Sequence, residues 1–269
     1  MTAELEVGQG SALVTGASSG IGNELARQIA ADGHDVILTA RREERLRDLA
    51  EELEGRHGIE ATVVPQDLAE ANAAGQLFEA VQEAGQEVQI LANNAGVPVY
   101  GPFTETDFED EELMMQVNMV ALTALTKQFI GPMTDRGSGA VLNTASLYSF
   151  FPGPKKAVYA ATKAYVLWFS RALAHEFADS GITVTALCPG PVETEYAQRG
   201  GVEESGALEG ITNDPETVAI AGWEGLKNGQ RIVLPSLFAR YAAELTRVLP
   251  RRKVTDAGAQ AAEEGSSWI

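Results

Sequence analysis

Short apolar runs alternate with stretches of helical spacing from residue 11 to residue 187, and few folds accept that alternation. Residues 11–15 are apolar and stop at glycine. Residues 24–32 then carry Leu25, Ile29 and Ala30 at helical spacing. A second apolar run at 35–40, around Val36, Ile37 and Leu38, leads into a charged helix at 43–54. The same reading predicts strands at 61–65, 88–92, 140–145 and 183–187, and helices at 76–84, 111–130 and 158–178. Strands that alternate with helices build βαβ units, hence a parallel sheet with helices on both faces. Several runs are apolar throughout, as strands covered on both sides must be. The expected fold is α/β: a single-domain, doubly wound parallel sheet of about seven strands.

No repeat or linker divides residues 1–269. Residues 193–215 are rich in Gly, Glu and Ser with weak periodicity, and a loop of that length is usually functional or mobile. Residues 236–249 place Leu237, Phe238, Tyr241, Ala242, Leu245, Val248 and Leu249 at helical spacing, for packing on the domain or on a second subunit. Residues 194–249 therefore read as a substrate lid and C-terminal helical region, and 256–269 as a flexible tail.

The formal charge of -18 excludes a basic footprint for nucleic acid and disfavours anionic membrane surfaces. No apolar run is long enough to span a bilayer. The first ten residues lack the basic start of a secretory signal. The expectation is a soluble cytoplasmic protein without a nucleic-acid or membrane partner. The single cysteine, Cys188, reads as a small buried apolar residue rather than a reactive thiol. His34, His57 and His175 lack metal-ligand spacing, so no metal site is expected. Six lysines stand against fourteen arginines. That acidic, lysine-poor balance resembles proteins of halophilic archaea, whose carboxylate repulsion is screened by salt. An ordinary acidic protein is the alternative.

Thr15-Gly-Ala-Ser-Ser-Gly-Ile-Gly22 follows the first strand and opens the first helix. Glycines there allow a tight turn and close approach of a pyrophosphate, which the helix N-terminus then attracts. The alternative is a structural turn. The spacing Gly-x-x-x-Gly-x-Gly is a variant of the commoner dinucleotide fingerprint.

That variant, Asp67, Asn93-Asn-Ala-Gly96, Asn118, Ser146, the pair Tyr159-x-x-x-Lys163 and Pro189-Gly-Pro-Val-Glu-Thr194 occur in the order of one family. Over about residues 10–235 the chain resembles the short-chain dehydrogenase/reductase family. The resemblance implies a Rossmann-type dinucleotide-binding catalytic domain. It implies an oxidoreductase that exchanges hydride between NADP(H) and a small carbonyl or alcohol substrate. It also implies that the helices at 111–130 and 158–178 pair in a homodimer or homotetramer.

Tyr159 and Lys163 lie one helical turn apart, on one face. Alone, that pair is ordinary surface packing. A phenol ionises at about pH 10. An ammonium about 4 Å away would favour the phenolate by on the order of 4 kcal/mol before desolvation. By resemblance Tyr159 moves the proton, Ser146 holds the substrate oxygen, and Asn118 supports a kinked helix and a water chain to Lys163. Ser149 is the rival of Ser146, and an exposed helix position is the alternative for Asn118. Also by resemblance, Gly16, Ser18, Ser19, Gly20, Ile21 and Gly22 would cradle the pyrophosphate. Asp67 and Leu68 would meet the adenine, Asn94 and Gly96 the ribose, Val192 and Thr194 the carboxamide, and Pro189 in the same motif would also bind the cofactor. A helix cap is the alternative for Asp67.

At the end of the second strand an NAD enzyme usually carries an acid. Here Ala40 stands there and Arg41 follows, so NADPH is expected, with Arg41 on the 2′-phosphate and Arg42 or Ser18 assisting. Solvated charges at a helix start are the alternative. Tyr196, Gln198, Trp223 and Phe238, with residues 97–103, are the expected substrate walls. A catalytically silent dinucleotide sensor or scaffold is the rival function.

Overall fold

The computed structural model describes residues 10–193, 195, 213–250 and 252–256. Among them are strands β1 (Ser11–Thr15), β2 (Val36–Thr39), β3 (Ala61–Val63), β4 (Val88–Asn93), β5 (Gly139–Thr144), β6 (Ile182–Leu187) and β7 (Ile232–Val233). They form one sheet in the order β3-β2-β1-β4-β5-β6-β7. Every neighbouring pair is parallel. The helices are α1 (Gly20–Ala31), α2 (Glu43–His57), α3 (Ala73–Glu83), α4 (Phe108–Met115), α5 (Leu122–Arg136), α6 (Ala157–Glu176), α7 (Pro215–Lys227) and α8 (Leu237–Val248). This is the doubly wound Rossmann-type sheet expected from the alternation.

Alternate side chains of a strand point to opposite faces, and each face here has its own cover. Ala12, Val14, Val36 and Leu38 pack with Leu25 and Ile29 of α1, Leu46 and Leu53 of α2, and Val218 and Trp223 of α7. Leu13, Ile37 and Leu91 face the other way, onto Leu77 of α3 and Leu125 and Phe129 of α5. Each such buried side chain contributes about 1.5–3 kcal/mol relative to exposure. Strand order reverses between β1 and β4, and a crevice opens there beyond the carboxyl ends of the strands.

Three local features differ from the sequence reading. The helix expected at 111–130 is α4, a six-residue π-helical turn (Gln116–Ala121) and α5, which runs through Pro132 to Arg136. Pro132 removes the bond to the carbonyl of Gln128, but Gln128 is exposed and water can serve that carbonyl. α7 was not marked as a separate helix in the sequence, although Asp214 caps it by accepting from Thr217 N at 2.7 Å and Pro215 stands at its start. Trp223, expected at the substrate wall, is buried between α1 and α7 instead. Its Nε1 donates to Asp32 at 2.8 Å and its ring meets His34 edge-on.

Candidate active site

The first turn after β1 is built around two glycines that tolerate no side chain. Gly16 has φ +69, and a Cβ there would sit 3.0 Å from Ala95 Cα. A Cβ on Gly22 would strike the Asn94 amide and lie 2.5 Å from the Gly16 carbonyl oxygen. Gly20 also has positive φ, +57. Asn94 ties this turn to the sheet: its amide donates to Thr15 O at 3.1 Å and its Oδ1 accepts from Thr144 Oγ1 at 3.3 Å. Thr15 Oγ1 in turn accepts from Asn94 N and Ala95 N, both at 2.9 Å. Gly96 follows in the same loop. Ser19, at the N-cap of α1, makes no side-chain capping bond. The first-turn N–H groups thus remain for an anion, with the helix dipole behind them. Ile21 is half-buried against the core below. This glycine cradle fits a pyrophosphate.

Arg42, rather than Arg41, reaches the cradle. Its guanidinium donates to Ser18 Oγ at 3.0 Å and Ser19 Oγ at 2.8 Å. It also donates to Glu195 at 2.6 Å, and Arg45 does the same to the other oxygen of that carboxylate at 2.6 Å. These hydrogen bonds, from Arg45 and Arg42, push Glu195 down to about 2. Arg41 is more than half exposed, with Asp67 Oδ2 3.9 Å away. Asp67 accepts from Ala69 N at 3.0 Å and caps a turn, not a helix, since α3 begins at Ala73. Leu68 beside it is buried. On the other side of the crevice, Pro189 O accepts from Leu147 N at 2.8 Å, and Val192 bridges to Asn213. Thr194, Tyr196 and Gln198 lie outside the described residues.

Ser146, Tyr159 and Lys163 lie together beyond β5. Ser146 starts the 3-10 turn Leu147–Phe150, and its Oγ accepts from Tyr148 N at 3.2 Å. Its rival Ser149 is engaged with backbone: it accepts from Ser146 N and donates to Lys163 O at 2.8 Å. That bond joins the turn to α6. Tyr159 and Lys163 sit on the buried face of α6, and Lys163 is 4% exposed. Its ammonium donates to Thr144 O at 2.9 Å. Burial pushes Lys163 down to about 8. Burial likewise pushes the neighbouring Cys188 up to about 12, so it stays a thiol.

Asn118 is buried inside the π-helical turn rather than exposed. Its Oδ1 accepts from Val97 N at 2.9 Å, and its amide donates to Val97 O and to Thr162 Oγ1, beside Lys163. The irregular turn aims that amide away from α5 and locks the loop after β4 against α6. Asn93 acts one layer deeper, donating to Thr126 Oγ1 and Asn143 Oδ1 at 2.9 Å each.

Three side chains that the sequence did not single out complete the surroundings of Tyr159. Tyr100, from the anticipated wall at 97–103, meets the Tyr159 ring edge-on at 5.1 Å and shares a hydrogen bond with it. Tyr148 meets it at 6.2 Å. The Lys156 ammonium lies 4.4 Å from the Tyr100 ring centre and 4.8 Å from that of Tyr148. Burial lowers Lys156 to about 8 and raises Tyr148 to about 12. Burial, and then Tyr159, also raises Tyr100 well above its usual value. Lys156 had a usable signal, standing three residues before Tyr159 at the start of the same helix. Among the described residues no three His, Cys, Asp or Glu side chains gather as metal ligands, and no helix is long and apolar enough to cross a membrane.

A glycine cradle at the reversal of strand order, with Ser, Tyr and Lys beside it, defines a dinucleotide-type α/β oxidoreductase. The family profile described as short chain dehydrogenase matches residues 11–204, and the chain belongs to that family. Sulfoacetaldehyde reductase 2 of Chromohalobacter salexigens is 36% identical over 186 residues, 68% of this chain and 73% of that one. A short-chain dehydrogenase from Sphingobium yanoikuyae, solved in complex with NADPH, superposes with TM-score 0.79 at 30% identity, covering 97% of this chain and 96% of the other. The bulky-bulky ketone specific alcohol dehydrogenase from Comamonas testosteroni gives 0.74 at 26% identity, covering 97% and 94%.

Proposed function

We propose that this chain is an NADPH-dependent oxidoreductase that reduces a ketone or aldehyde to an alcohol, or runs the reverse, through Ser146, Tyr159 and Lys163. The observation that carries the reading is the buried Lys163 ammonium, fixed on Thr144 O one helical turn from Tyr159. A cation held there favours the phenolate and makes Tyr159 a usable acid and base near neutral pH. In reduction the Tyr159 hydroxyl delivers a proton to the substrate oxygen, and in oxidation the phenolate takes it back. Ser146 donates to the same oxygen as charge develops on it. Asn118 acts at a distance, holding the Val97 loop and α6 together. NADPH supplies the hydride when bound.

The residues proposed to hold the cofactor are Gly16, Ser18, Ser19, Gly20, Ile21 and Gly22 at the pyrophosphate, Asp67 and Leu68 at the adenine, Asn94 and Gly96 at the ribose, and Pro189, Val192 and Thr194 at the carboxamide. For the 2′-phosphate, Arg42 takes the leading part and Arg41 the second. Arg42 already spans Ser18, Ser19 and a carboxylate, so a phosphate there would take the place of Glu195. The short-chain dehydrogenase solved with NADPH supports the cofactor, and the ketone-specific dehydrogenase supports the substrate class.

We place the protein in the cytoplasm, where the buried thiol of Cys188 stays reduced. We also propose a homodimer or homotetramer. Val120, Tyr165 and Trp168 expose apolar surface on the π-helical turn and α6, where a second copy would cover them. Sedimentation at the monomer mass would contradict the assembly.

Tyr159→Phe tests the reaction. It is expected to lower turnover of a ketone panel by about 10²–10⁴-fold and to leave NADPH affinity within a few-fold. Near-normal turnover in that variant overturns the mechanism. A wild type that binds NADPH yet turns over no carbonyl is the sensor instead.

A further inference from the structure

We propose that the substrate is a carbonyl compound bearing an anionic tail, a carboxylate or sulfonate, and that Lys156 is the residue that binds that tail. This rests on the oxidoreductase reading and names the substrate class for the same site. The half-buried Lys156 ammonium lies over the faces of Tyr100 and Tyr148, and both rings meet Tyr159. One aromatic ring on either side thus separates this cation from the ring of Tyr159.

Among the described residues Lys156 is also a cation without a carboxylate partner. No carboxylate among the described residues lies within ion-pair distance of it, in a chain with 38 Asp and Glu against 20 Lys and Arg. That excess reaches Arg27, Arg42, Arg45 and, among the lysines, Lys227. Lys163, the other deeply placed lysine, has its backbone carbonyl. Lys156 lies over two ring faces, which attract a cation but accept no strong hydrogen bond. A half-buried ammonium over ring faces keeps its three donors for a ligand, and an incoming anion gains a charge-assisted contact there. The two tyrosines also remain neutral phenols, because burial raises both. They therefore add no negative charge to compete with the tail.

The test compares levulinate with its methyl ester at neutral pH with NADPH, in the wild type, Lys156→Gln and Lys156→Arg. A charge-assisted contact worth about 1.5–3 kcal/mol corresponds to about 10- to 150-fold in kcat/KM for the carboxylate over the ester. Lys156→Gln is expected to remove most of that ratio, through KM more than kcat, and Lys156→Arg to keep part of it. If Lys156→Gln does not fold, the wild-type ratio and the Arg variant decide. Trifluoroacetate, followed by fluorine NMR on the NADPH complex, reads the same site without turnover. Line broadening in the wild type that Lys156→Gln abolishes supports the anion site even if no ketone is reduced, and then only the oxidoreductase reading falls. A wild type that favours the ester, or equal broadening in both proteins, overturns the inference.

Discussion

Lys156 and Lys163 bracket Tyr159 on the chain, and burial lowers both to about 8. Their surroundings differ. Lys163 is fully enclosed, with its ammonium fixed on the Thr144 carbonyl. Lys156 is half-buried and lies over the faces of two rings. A backbone carbonyl positions a charge and keeps it in place for every turnover. Ring faces hold a charge and leave its hydrogen bonds to a ligand. Under the proposed reading, equal shifts go with unlike roles, one toward the reacting hydroxyl and one toward the substrate.

The strongest way to break that contrast is Lys163→Met. It should lower kcat by about 10²–10⁴-fold on neutral and anionic ketones alike, whereas Lys156→Gln should discriminate between them. Similar losses from both substitutions on both substrates would erase the distinction.

Next in size is the choice of cofactor, where neighbouring arginines also differ in reach. Arg42→Ala should reduce the NADPH-over-NADH ratio of kcat/KM by about 10- to 150-fold, the worth of one charge-assisted contact. Arg41→Ala should reduce it less. The reverse ranking returns the phosphate to Arg41.

A finer separation comes from pH. Each lysine is depressed from its usual value, so its ammonium is present below about pH 8 and lost as pH rises through it. With the methyl ester, only kcat of reduction should fall above that point. With levulinate, KM should also rise. A KM that is flat with pH for the carboxylate removes Lys156 from the substrate.

The smallest effect is that of salt. Molar KCl should raise Tm, because screening relieves repulsion within a charge of -18, and a halophilic origin would make the rise continue to high concentration. The same salt should erode the carboxylate preference at half-buried Lys156 and spare turnover of the ester. A flat Tm counts against the halophilic origin.

Much of this was legible before any coordinates. Continuous apolar runs and helical spacing placed the strands and most of the helices, because burial on both faces of a sheet acts on that pattern directly. The glycine turn could be read because only glycine accepts the φ of Gly16 and the close approach at Gly22. The bounds of helix α7 are not set by the apolar spacing, although its Asp214-Pro215 start is a local signal. Trp223 was misassigned because an aromatic side chain fits a core and a substrate wall equally well on paper. Only packing against Asp32 and His34 decides between them.

The sequence by itself determined the alternating sheet, the anion cradle and the Tyr159–Lys163 spacing, since each depends on neighbours within a few residues along the chain. Tertiary structure decided the rest. Arg42 lies over Ser18 and Ser19, 24 and 23 residues away, while Arg41 does not. Tyr100 from the loop after β4 and Tyr148 from the turn after β5 close around Lys156 at the start of α6. Those contacts join segments that approach one another only because parallel strands bring their carboxyl ends to the same edge of the sheet, so no spacing along the chain encodes them.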